Sequence, residues 1–183
     1  MAADGTRAAR VGIDPTVAAK GLAAFRVFVG VVWLSNGLAK LVNKAGYDLG
    51  VVSFGLIGRD TARGLLETYS GDRSHAPALL KSFYRDLVLA NWEFFQWFLT
   101  AAELTVGVCL LLGVASRFGA LLALLLIGPV WVMNFDNNRY LFEWPLDIVP
   151  LLILAVVPAG RVWGRDGRLA ARYGSRWLDR WPF

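Results

Sequence analysis

The chain has one cysteine, Cys109, and one histidine, His75, among its 183 residues. No internal disulfide can form, no thiol pair exists for redox work, and a bis-histidine haem site is excluded. A Glu-x-x-His pair for a di-iron centre is missing too, as are the glycine-rich fingerprints of P-loop and dinucleotide-binding proteins. Cys109 lies in an apolar run and reads as a small core residue. His75, in the polar stretch GDRSHAP, reads as solvated surface, so no metal site is expected. Charge is scarce as well: Asp, Glu, Lys and Arg make up 18% of the chain, against about 25% in an average soluble domain. No repeat recurs at a helical-array period.

What is abundant is apolar sequence, 56% of the residues, gathered into long runs separated by short charged stretches. Four runs stand out, at about residues 17–41, 92–114, 118–135 and 141–163. Roughly 18 to 25 residues at about 1.5 Å rise cross a hydrocarbon layer of about 30 Å. The fold class expected is therefore an all-α membrane protein, a bundle of four transmembrane helices over residues 15–163. Only Ala115, Ser116 and Arg117 part the second run from the third, which demands an antiparallel hairpin. Pro145, Pro150 and Pro158 interrupt the fourth run, and neighbouring helices must satisfy the carbonyls they free.

The first run is too long for a signal-peptide core and lacks a small-x-small cleavage site, so it reads as a retained span behind a mobile tail at residues 1–14. Between spans one and two, residues 44–90 carry apolar positions at three- and four-residue spacing, which predicts short amphipathic helices capping the bundle. Arg7, Arg10, Lys20, Arg117 and the arginines of the C-terminal tail lie on one side of the membrane. Lys40, Lys44, Arg139 and the 44–90 loop, with Arg59, Arg63, Arg73, Lys81 and Arg85 among acidic residues, lie on the other. The dense tail assigns the first side, with both termini, to the cytoplasm. That tail, residues 164–183, interleaves arginine with Leu169, Tyr173, Trp177 and Trp181, as an interfacial segment on anionic lipid does. Membrane lipids rather than nucleic acid are the expected partner of this positive charge.

The informative residues are polar ones inside apolar runs: Arg26, Asn36 and Lys40 in the first, Gln96 and Glu103 in the second, Glu143 and Asp147 at the start of the fourth. A charge at a helix centre costs about 2.5 to 3.5 kcal/mol on insertion scales, so such residues face the bundle and pair. At about 100° per residue, Arg26, Gly30, Trp33, Gly37 and Lys40 share one sector of the first span, its expected interior face. Gln96, Glu103 and Gly107 share a sector of the second. Glu103 lies at mid-span and Arg26 roughly 5 Å to the cytoplasmic side of centre, which allows an Arg26–Glu103 ion pair. Lys40, Asn36, Glu143 and Asp147 form a second cluster in the outer half. Two roles fit such clusters: specifying helix register and partner choice, or proton chemistry in which a buried carboxylate takes a proton from a hydroxyl.

The arrangement resembles the DoxX/DoxD family of small four-helix membrane proteins. Arg26 with the following VFVGVVWLSNGLAKL is similar to that family's R-x(3)-G…G-x-x-K opening. AAELTVGVCLLLGVASRFGALLAL resembles its second motif at Glu103, Gly107, Gly113 and Arg117, and AGRVWGRDGRLA its closing signature at Gly160, Gly164 and Asp166. The loop ending SFYRDLVLANWEFFQWF is similar to the longer, DoxD-like branch; Arg165 departs from the apolar residue often found beside the aspartate. The resemblance implies a subunit of a prokaryotic inner-membrane oxidoreductase, the best-described type acting between thiosulfate and quinone. On that expectation Glu103 is the proton acceptor with Arg26 its charge partner, while Asn36, Lys40, Gln96 and Asp147 line the site. The cofactor is a diffusible quinone with nothing held covalently, and the partner is a redox subunit or a second copy of the chain. A non-catalytic anchor for a redox complex is the alternative.

Overall fold

The computed structural model describes residues 14–72, 74–136 and 140–173. All of the expected tail at residues 1–14 except Asp14 lies outside them, as do Arg73, Arg139 and the terminal Arg176, Trp177, Arg180 and Trp181.

Helix α1, Pro15–Val42, begins where Asp14 accepts a hydrogen bond from the Thr16 N–H at 2.8 Å and Pro15 supplies a helical φ at no cost in donors. It ends at Asn43, whose φ of 54° turns the chain out of the helix. Helix α4, Trp92–Leu112, runs antiparallel to it along most of its length. Glycine makes the approach possible. A Cβ on Gly30 would stand 2.5 Å from the Leu111 backbone nitrogen, and one on Gly107 would stand 2.6 Å from the Leu34 Cα. A Cβ on Gly37 would stand 2.9 Å from the Leu104 side chain and 3.0 Å from its backbone nitrogen. Small residues that let backbones meet are a main source of helix association in lipid, where apolar burial gives no preference for protein over lipid tails.

After Gly113, in the left-handed region at φ 61°, helix α5 runs Ser116–Met133 back against α4. Among the described residues three helices, α1, α4 and α5, are thus long and apolar enough to cross a membrane. Their outer faces carry exposed Phe28, Phe94, Phe98, Leu121 and Leu125, a surface too apolar for water to be its ordinary solvent.

The fourth apolar run departs from the continuous helix expected over residues 141–163. It forms a 3₁₀ turn at Trp144–Asp147, helix α6 over Val149–Val156, then a second 3₁₀ turn at Ala159–Arg161. The apolar helical stretch Pro145–Val156 covers only about 18 Å at 1.5 Å per residue. Pro145 and Pro150 lack N–H groups and Pro158 forces extended backbone before it, which explains the breaks. Helix α6 packs on α5, and its Leu151 and Leu154 close a core with Val29, Val106, Leu110, Ala120 and Ala123.

The segment between α1 and α4 is not wholly helical either. Strands β1, Gly46–Asp48, and β2, Ser53–Gly55, form an antiparallel hairpin with Tyr47 opposite Phe54. Glycines at 46, 50, 55 and 58 oppose a helix there, and the apolar spacing of VVSFGLIG is too short to separate the two periods. The predicted amphipathic helices follow: α2, Arg59–Ser70, and α3, Ala78–Ser82, which leads into a π-helical stretch at Phe83–Leu89. Finally α7 spans Asp166–Tyr173. Ala62, Leu66, Tyr84 and Val88 pack with Trp92 and Met133 in a second core, fastening the cap to the ends of α4 and α5. Burial pushes the Tyr84 phenol up to about 12.

Gly107→Val is expected to lower unfolding free energy by about 1–3 kcal/mol through overpacking, measured by denaturant titration in micelles. Gly21→Ala, with open space around it, should be neutral or stabilising. Because Tyr84 is held neutral in the fold while an unfolded tyrosine ionises near pH 10, stability should fall as pH rises from about 10 through about 12. An ultraviolet titration should show a late tyrosine phase that Tyr84→Phe removes.

Candidate functional site

The stripe on α1 is an interior face: Arg26, Gly30, Gly37 and Lys40 are buried, and Trp33 packs against the core. Its close approaches to α4 set the register. With Gly30 beside Leu111, Leu34 beside Gly107 and Gly37 beside Leu104, Arg26 lies level with the turn after α4, and Lys40 lies level with the middle of that helix.

Glu103 therefore pairs with Lys40, at 2.8 Å, and not with Arg26. Arg26 sits about three turns of α1, roughly 18 Å, from the level of Glu103. Each helical sequence shows which face a residue occupies but not how far the two helices have slid past each other. The side chains of Lys40 and Glu103 are 5% and 16% exposed. Lys40 Nζ also donates to the Ile57 carbonyl at 3.0 Å, while the Ile57 N–H donates to Asn36 Oδ1 at 3.1 Å. Both backbone groups of Ile57 are thus held by α1 side chains. One turn further on, Asn43 and Asp60 exchange hydrogen bonds at 2.7 and 3.1 Å, and Arg59 lies over the Trp97 ring at 4.3 Å. These contacts pin the start of α2 over the polar site.

Beside the ion pair is a cavity of about 540 Å³. Phe25, Phe28, Val32 and Trp33 of α1 form one wall, and Ile127 of α5 with Pro150 and Leu151 of α6 form another. Asn36, Lys40, Glu103, Asp147 and Ile57 line it as well. A second cavity of about 440 Å³, with Tyr69, Trp131 and Asn134 in its lining, shares Ile57, Ile127 and Asp147 with the first. An apolar cleft with a few convergent polar groups is the usual form of a small-molecule site.

Of the sequence candidates, Asn36, Lys40, Glu103 and Asp147 meet at this cavity. Gln96 does not line it: its amide donates to the Glu93 carbonyl and carboxylate on its own helix, at 3.5 and 3.3 Å. It shares a face with Glu103, but α1 ends at Val42, below its level. Glu143 is not among the lining residues.

Arg26 belongs to a separate site at the opposite end of α1. Fully buried, it donates through Nη1 to the Leu110 carbonyl, closely, and to that of Leu111 at 3.3 Å, and through Nη2 to Trp163 at 3.2 Å. A cation on the last carbonyls of α4 satisfies otherwise orphaned acceptors and opposes the helix dipole. Asp166, also fully buried, accepts from the N–H groups of Ala115 and Ser116 at 2.6 and 3.0 Å and from Ser116 Oγ at 2.6 Å. It is the N-terminal cap of α5, supplied by a residue fifty positions later in the chain. Its backbone N–H donates to the Gly113 carbonyl at 2.8 Å. Gly160 is needed because a Cβ there would strike the Asp166 carboxylate and Ser116 Oγ. Local sequence reasoning assigned Asp166 no partner; its only signal was the spacing of Gly160, Gly164 and Asp166.

Among the described residues, no group of three or more His, Cys, Asp or Glu side chains is placed to hold a metal ion. Compared with models of known protein families, with curated proteins and with solved structures, the chain matches none.

Removing one member of a buried ion pair strands the other charge. Lys40→Met and Glu103→Gln should each cost about 3 kcal/mol of unfolding free energy, while the double variant should lose less than the two combined. A denaturant-based double-mutant cycle measures the difference.

Proposed function

We propose that the chain is a DoxX-like, four-span membrane subunit of a quinone-linked oxidoreductase system, whose cavity beside Lys40 and Glu103 receives the ring of a lipid-soluble quinone. The fourth crossing is assigned to residues 141–163. Their broken helix is compatible with membrane depth because α6 is packed on α5, and irregular backbone is tolerated where protein covers it. An even number of crossings puts both termini on one side, and the arginines near the C-terminus assign that side to the cytoplasm of a prokaryotic inner membrane.

The observation that carries this reading is the Lys40–Glu103 pair beside the apolar walls of a cavity. A buried ion pair is weak support for stability, since apolar residues of similar volume often serve as well. The α1–α4 register already has a cause in Gly30, Gly37 and Gly107, so the pair is free for chemistry. The lining suits a quinone: aromatic walls for the ring, and on Lys40 a third ammonium proton beyond those directed at Glu103 and Ile57. Lys40 is the hydrogen-bond donor to a ring oxygen. Glu103 takes up the proton of a ring hydroxyl in one direction and returns it in the other. Asn36 and Asp147 complete the polar edge. A quinone carries two electrons with two protons, so beyond the proton on Glu103 the second proton exchanges with solvent and a partner subunit must exchange the electrons; thiosulfate oxidation is the chemistry the family resemblance suggests.

A non-catalytic anchor or assembly partner is the second reading. It is favoured by the cap, which is packed firmly on the ends of α4 and α5 and presents exposed Arg63 and Arg85.

Purified protein in nanodiscs loaded with ubiquinone or menaquinone distinguishes them. Wild type should retain quinone, and Lys40→Met that keeps the wild-type elution profile should bind it about tenfold more weakly, the loss of one charged hydrogen bond. Glu103→Gln should bind quinone yet lose turnover with the partner enzyme. No retained quinone together with a stoichiometric co-purifying subunit points to the anchor.

A further inference from the structure

The hairpin of β1 and β2 has a tip that does not suit water. Leu49, Gly50, Val51 and Val52 join the strands, closed by the Leu49 N–H donating to the Val52 carbonyl at 3.0 Å. The Gly50 N–H donates to Asp48 Oδ1 at 2.9 Å, and Gly50 takes the positive φ, 79°. Turns in water are built from Gly, Pro, Asn, Asp and Ser. Here Leu49 is 68% exposed, Val51 96% and Val52 58%, with Tyr47 and Phe54 exposed behind them. A lone two-stranded ladder this short is also marginal in water.

The position of the hairpin accounts for both features. It begins just beyond the end of α1, where Leu38, Leu41 and Val42 are exposed on a helix long and apolar enough to span a membrane. The tip residues Leu49 to Val52 follow that apolar helix end within ten residues of Val42 along the chain. At its base Lys44 Nζ lies 3.9 Å over the Tyr47 ring, a cation and an aromatic ring of the types that anchor at the headgroup level. The strands themselves are barred from the hydrocarbon, because their outer N–H and C=O groups have no ladder partner there.

We infer that residues 46–55 form a lipid-binding hairpin, with Leu49, Val51 and Val52 inserted among the lipids at the interface where α1 leaves the membrane and the strands at headgroup level. The tip side chains then reach about 5–10 Å below the headgroups. The Leu56 N–H donates to the Ala45 carbonyl at 2.8 Å, and Ile57 is held by Asn36 and Lys40. The inserted hairpin is thereby tied directly to the wall of the cavity. This inference rests on the membrane placement of α1 and is independent of the quinone.

With Cys109→Ala as background, Val51→Cys carries an environment-sensitive fluorophore in full-length protein reconstituted into phosphatidylcholine–phosphatidylglycerol vesicles. Phe28→Cys on the exposed face of α1 and Glu67→Cys on the cap are labelled likewise. At position 51 the probe should emit blue-shifted light and lose most of its intensity to lipids spin-labelled near the headgroup, with little loss to aqueous iodide. Position 28 should be quenched by deep spin labels and position 67 by iodide. Iodide quenching at 51 with lipid quenching at 28 overturns the hairpin inference alone. Iodide quenching at 28 overturns the membrane placement, and the inference with it.

Discussion

The contact between the backbones of α1 and α4 governs the rest of the structure. Gly30, Gly37 and Gly107 remove the side chains that would hold the helices apart, and in lipid such close packing supplies the attraction that burial from water supplies elsewhere. It also fixes axial register. A slip of one turn, about 5.4 Å, would carry Lys40 away from Glu103 and Arg26 away from the last carbonyls of α4.

That register separates two kinds of buried charge. At one end, Arg26 and Asp166 close the ends of α4 and α5, and the chain after α6 folds back over Gly113 to supply the second of them. Most of their hydrogen bonds go to backbone groups at the ends of these helices. At the other end, Lys40 and Glu103 face a cavity, and Asn36 and Lys40 hold the backbone of Ile57 in its wall. A charged pair beside apolar walls interacts more strongly than it would in water. The chemistry proposed for the chain is placed at this second end.

The cap joins these elements to their surroundings. Its core sits on Trp92 and Met133, its α2 is tied to Asn43 by Asp60, and its hairpin follows directly on the end of α1. The cavity draws its lining from the cap, α1, α4, α5 and α6 together, so the site is composite.

Much of this was legible in sequence. The lengths of α1, α4 and α5, the tight turn between the last two, the interior stripe of α1 and the choice of Asn36, Lys40, Glu103 and Asp147 as residues that should not face lipid all follow from apolar run length and the 3.6-residue period. These are local properties, and each depends only on a residue's neighbours along one helix. Which buried charge meets which was not legible. Arg26 and Lys40 share a face of α1, and either could be drawn to Glu103 until the glycine contacts fix the slide of one helix on the other. The broken fourth run, the hairpin in the cap and the capping of α5 by Asp166 were hidden for a related reason. Proline-freed carbonyls, short glycine-rich segments and an orphaned helix terminus have several ways to be satisfied, and the choice among them is made by atoms distant in the chain. Run length and helical period show which residues belong in an apolar interior and on which face. Their partners emerge with the packed fold, because pairing depends on helix register and on backbone brought together from separate segments.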